Sequence, residues 1–118
     1  DDAAAAEAYR EAARFARSEL ELNNADAMVR ADLAHYQARL GNESRARALM
    51  TKAIEAQPAD MYIRYNGALV FAELGDAPQA LENLAQAVKL GYQVDLLPVD
   101  PGLRSLQDMP EFTTLMSH

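Results

Sequence analysis

The chain has 118 residues, half of them apolar and a quarter charged, which is the balance of a folded globule and excludes a disordered tail. Its formal charge of −7 argues against nucleic acid as a partner, because that affinity comes largely from Lys and Arg displacing counterions. The lack of cysteine excludes disulfides and thiolate chemistry, and no apolar run approaches the roughly 20 residues that span a bilayer, so no membrane insertion is expected.

No basic start followed by an apolar stretch marks a signal peptide. The chain opens at Asp1-Asp2 without an initiator methionine, which leads to the expectation of a segment excised or processed from a longer protein. A cytoplasmic setting is expected over a periplasmic one, although missing cysteines fix no compartment.

Alanine dominates, and glycine and proline number five each, so local preferences sum toward helix. Residues 3–22 form the first helical stretch: Tyr9, Ala12, Ala16 and Leu20 make a stripe, with Phe15 and Leu22 flanking it, and Asn23-Asn24 stops it. The second, 27–40, carries Val29, Leu33, Tyr36 and Leu40 and halts at Gly41, after which Asn42 can cap the next helix. A third stretch, 43–57, places Ala46, Leu49, Met50, Ala53 and Ile54 on one side and gives way at Pro58. Asp60 can cap a fourth over 61–74, and Asp76-Ala77-Pro78-Gln79 opens a fifth that Gly91 ends. Every connection is short, so consecutive helices must fold back as antiparallel pairs.

A shift of 34 residues matches Arg30 to Arg64, Ala34 to Ala68, Ala38 to Ala72, Leu40 to Leu74, Gly41 to Gly75, Ala46 to Ala80 and Ala53 to Ala87. Small alanines let two helices approach, glycine permits the turn between them, and leucine fills the space where they meet. The same shift sets Ala12 against Ala46 and Leu20 against Ile54, which makes the first helix the second half of an earlier unit. With Leu33, Ala34, Gly41, Ala46, Ala53 and Pro58 in one unit and Gly67, Ala68, Gly75, Ala80 and Ala87 in the next, residues 9–92 resemble the tetratricopeptide repeat. The chain departs from that pattern at Arg30 and Arg64, where a bulky aromatic is common, and at Tyr92 in place of a closing proline.

The resemblance implies one all-α domain of antiparallel hairpins stacked as a right-handed superhelix: the trailing helix of a partial repeat over 3–26, repeats over 27–60 and 61–94, and a cap over 95–118. In the cap, Leu96, Leu97, Leu103, Leu106, Phe112, Leu115 and Met116 are spaced among Pro98, Pro101 and Pro110, and Asp100-Pro101 reads as a cap followed by proline in the first turn. The segment resembles the closing piece of many bacterial arrays of this family and should seal the bare side of the last helix.

Chemistry finds little support. His35 shares a helical face with Asp32 and Arg39, so an acid–base pair is conceivable, but a polar groove-facing or surface histidine is the plainer reading, and His118 is terminal. No set of two His or carboxylates at i, i+4 with a third ligand elsewhere appears, and no nucleotide or hydrolase motif occurs, so no enzyme, metal or cofactor is expected. Arg10, Arg14, Arg17, Arg39, Arg45 and Arg47 are read as solvated faces interleaved with Glu7, Glu11, Glu19 and Glu43, with an acidic partner as the alternative.

In stacked hairpins the free sides of the leading helices line a concave groove. The first full unit offers Met28, Ala31, Asp32, His35 and Arg39, and the next offers Tyr62, Tyr65, Asn66, Leu69 and Glu73. For the two tyrosines both groove contacts and inter-helix packing are open. Asn66 resembles the asparagine with which family members hold a C-terminal carboxylate, but neither leading helix carries a lysine. A protein partner that presents a mixed polar–apolar peptide or helix is therefore expected, within a larger bacterial protein. The alternative is a structural module that forms a homodimer or packs within its parent.

Overall fold

A computed structural model of the chain describes residues 1–117, so the reading of His118 lies outside the described residues. The fold is all-α, with no strand among the described residues: α1 (Asp2–Leu22), α2 (Ala27–Arg39), α3 (Glu43–Ala56), α4 (Met61–Glu73), α5 (Ala77–Lys89) and α6 (Pro110–Met116). Short 3₁₀ segments lie at Val94–Leu96 and Pro101–Leu106. These elements divide into two compact units, Asp1–Pro58 and the part from Ala59 onward.

In the first unit α2 packs on both α1 and α3. Ala13, Ala16 and Leu33 are buried together, and Leu20, Val29, Tyr36, Leu40 and Leu49 pack around them. Alanine at the contact positions brings helix axes close enough for these larger side chains to interdigitate. Phe15 and Leu22, which flank the stripe, stand 69% and 86% exposed.

Helix ends follow local chemistry. The Asp26 carboxylate accepts from the Val29 N–H at 3.1 Å, and the Asp60 carboxylate accepts from Tyr62 and Ile63, which satisfies first-turn donors that have no partner within the helix. Asn42 stands at the expected cap position, but its side chain does not cap α3. Its amide donates at 2.6 Å to Oε1 of Gln37, a side chain only 2% exposed, and an unpaired buried amide would cost more than an uncapped helix end.

The repeat in the sequence returns as a repeated turn. Gly41 has φ of 83°, and the N–H groups of Gly41 and Asn42 donate back to the carbonyls of Ala38 and Gln37 at 3.1 and 2.9 Å. In the second unit Gly75, φ 77°, and Asp76 donate to Ala72 and Phe71 at the same two distances. This is the left-handed helix ending that satisfies the last carbonyls of a helix.

In the second unit α4 packs on α5, and the C-terminal segment folds over both. The Asp100 carboxylate accepts from the Gly102 N–H at 2.8 Å, with Pro101 in the first turn. Leu97, Leu103, Leu106 and Phe112 are each 3% exposed or less. The segment Pro101–Leu106 contacts α4 while α6 contacts α5, so this piece seals the leading helix as well as the last one.

Candidate protein-binding surfaces

The leading helix of each unit was expected to keep one side open, and the two units differ in how far they do so. On α4 the face is largely filled by the chain itself. Tyr65, assigned to the groove or to packing, is 8% exposed. Its ring stacks on Tyr92 with centroids 4.0 Å apart and planes within 10°, and its hydroxyl donates to the Asp100 carboxylate. Burial first, and then that hydrogen bond, push the Tyr65 phenol far above its ordinary range.

Leu69 is half-buried beneath Gly102, where an added Cβ would come 2.8 Å from Leu69 Cδ2. Asn66 is half-buried and donates to the carbonyl of Tyr62 at 3.0 Å, within its own helix. Tyr65 is therefore corrected from groove surface to core, and Leu69 from open surface to a cap contact. The cause is tertiary: the 3₁₀ segment lies over α4, a placement that helical periodicity does not encode. Tyr62, 59% exposed, and Glu73 remain at the surface.

On α2, Ala31 is fully buried and is corrected from the open face to the core, which leaves Met28, Asp32 and His35 half-buried and Arg39 exposed. Arg39 does not reach freely into solvent, because its Nε donates to the Tyr9 hydroxyl at 3.1 Å and its guanidinium carbon lies 5.4 Å from the centre of that ring. Asp32 borders a pocket of about 290 Å³ with Val29 and Tyr36 of α2 and Ala12, Phe15 and Glu19 of α1. Burial raises the Asp32 carboxyl above its usual range, His35 opposes that shift, and Asp26 adds to it. Neither Asp32 nor Glu19 forms a salt bridge among the described residues.

This pocket was not expected from the stripe on α1. A signal for it lies in the 34-residue register: Glu19 stands where Ala53 and Ala87 are fully buried, and Phe15 where Leu49 and Asn83 pack. In the second unit two more open hollows flank α5, one bounded by Leu81, Glu82, Glu111 and Leu115, the other by Val88, Lys89, Tyr92 and Val94. No helix is long and apolar enough to cross a membrane, and no group of three His, Cys, Asp or Glu could hold a metal ion, among the described residues. No family model, curated protein or solved structure matches the chain.

Proposed function

We propose that the chain is a tetratricopeptide-like binding module, not an enzyme, which holds a peptide or helix of a partner protein as part of a larger bacterial protein. The observation that carries this reading is the pocket on α1 and α2. It sets an exposed aromatic ring, Phe15, beside two carboxylates without salt bridges, Asp32 and Glu19. An apolar anchor site rimmed by a few polar groups is how small recognition surfaces fix both affinity and orientation. The repeated turns at Gly41 and Gly75 support the family resemblance, and the closing segment's likeness to bacterial arrays supports the bacterial parent.

The test selects ligands from a displayed random-peptide library and maps them by amide chemical-shift changes. Ligands that perturb α1 and α2 and bind Phe15→Ala and Asp32→Ala more weakly, with helicity unchanged, are the expected result. Failure to select any ligand, or ligands indifferent to both substitutions and to Tyr62→Ala, rejects the reading. Self-association is the second reading, favoured by exposed Phe15 and Leu22. Light scattering that gives a monomer at every concentration removes it.

A further inference from the structure

The two hollows beside α5 form one trough. Both are lined by Ala85 of α5 and Leu115 of α6, and together they run along α5 from Pro78 to Lys89. Leu81, Ala85 and Val88 of α5 and Leu115 of α6 make an apolar floor, with Leu81 buried and the other three half-buried. The charges are sorted by end. Glu82 and Glu111 stand towards the start of α5, and Lys89 stands at the other end. All three are exposed, and none of them forms a salt bridge among the described residues.

Spacing turns this into a recognition pattern. Pro78, Glu82, Ala85 and Lys89 recur at intervals of four, three and four, so they share one face of α5. Glu82 and Lys89 are two turns apart, about 10 Å along the axis, which is too far for them to pair with each other. The residues three and four places from either one carry no charge. A two-fold axis beside Ala85 sets α5 of a second copy antiparallel and brings Glu82 of each chain opposite Lys89 of the other. A parallel copy in register would instead oppose like charges at both ends. Ala85, at the crossing, is small enough to let the two helix axes approach.

We infer that the α5–α6 trough is the contact surface for a second copy of this chain, in a closed two-fold dimer whose antiparallel α5 helices exchange two Glu82–Lys89 pairs. Glu111 adds a second carboxylate where each lysine arrives. The apolar floor supplies the attraction, and the charges set orientation, because ion pairs at a solvated rim contribute more to register than to affinity. The same patch serves both subunits, so the assembly closes at two. No residue of the α1–α2 pocket takes part, so the dimer stands apart from the binding-module reading, and it gives self-association a seat other than Phe15 and Leu22.

Sedimentation velocity on the whole chain should show a monomer–dimer equilibrium with a dissociation constant below about 100 µM, in about 0.15 M salt to screen the repulsion between net charges. Glu82→Lys and Lys89→Glu should each weaken the dimer by roughly tenfold or more, since each sets like charges together at both ends. An equimolar mixture of these two variants should recover the parent's dimer, because in the mixed pair every cation again meets a carboxylate. Misfolding of either variant cannot produce that rescue. Ala85→Glu should abolish the dimer with helicity unchanged by circular dichroism, and Phe15→Ala should leave it intact. A monomer at every concentration up to about 1 mM, a mixture that stays monomeric, or parent-like dimers of Glu82→Lys, Lys89→Glu or Ala85→Glu would overturn the inference. A dimer lost in Phe15→Ala but kept in Ala85→Glu would place self-association on α1 and reject the trough. If the chain is monomeric yet selected peptides still bind the α1–α2 pocket, the binding module survives and the dimer falls.

Discussion

Tyr65 decides whether α4 presents a binding surface or carries part of the core. Tyr65→Phe keeps the ring and its stack on Tyr92 but removes the hydroxyl that donates to Asp100. A hydrogen bond to a charged group contributes about 1.5–3 kcal/mol, and because Asp100 is half-buried the lower end applies. Tyr65→Ala also empties a site that is 8% exposed, for which buried aromatic truncations cost about 3–5 kcal/mol. Tyr62→Ala, three residues away and 59% exposed, should stay within about 0.5 kcal/mol of the parent.

The assay is urea unfolding followed by helical circular dichroism, with the slope compared across variants. There is also a pH signature. The folded phenol holds its proton above the ordinary value of 10.0, so its contribution is full below that pH and is lost as pH rises past it. The parent should lose more stability at alkaline pH than Tyr65→Phe does. If Tyr65→Phe unfolds at the parent's urea midpoint, or Tyr65→Ala is no less stable than Tyr62→Ala, the cap does not hold this side chain as described. A binding defect in a Tyr65→Ala variant would then report on the surface and not on lost structure.

Gly41→Ala and Gly75→Ala each place a side chain at positive φ with nothing within 4 Å to clash, so each should lose about 1–2 kcal/mol from backbone strain alone, measurable by the same unfolding experiment. Leu103→Ala, at a fully buried position of the closing segment, should cost about 2–5 kcal/mol, while Val99→Ala, 74% exposed, should be near neutral. Truncation after Gly91 should yield an aggregating protein by light scattering, since it uncovers both α4 and α5. Asp32→Asn should stabilise the chain near neutral pH. The folded carboxyl is raised above 3.8, so the parent is penalised as pH climbs past that value, and the gain should vanish at about pH 3. An equal gain at both ends of the range would show that charge is not the cause.

Much of the architecture was legible from spacing alone. The 34-residue match between Gly41 and Gly75 located two turns whose hydrogen bonds agree. Asp60, Asp76 and Asp100 opened their helices by local chemistry, which depends only on neighbours a few residues along. Asn42 departed from that rule because its amide satisfies Gln37, five residues earlier, a side chain that tertiary packing buries.

The candidate surfaces were less legible for the same reason. Periodicity states which side of a helix is polar enough to face water, but Tyr65 and Leu69 fit either environment, and only the path of Pro101–Leu106 over α4 covered them. Phe15 shows the converse: an aromatic beside an apolar stripe is exposed because no described helix meets that face of α1. The sequence by itself determined where helices begin, end and recur, because those choices are made within a turn or two of chain. Which faces remained open was decided by tertiary structure, because burial is a property of what arrives from elsewhere in the chain.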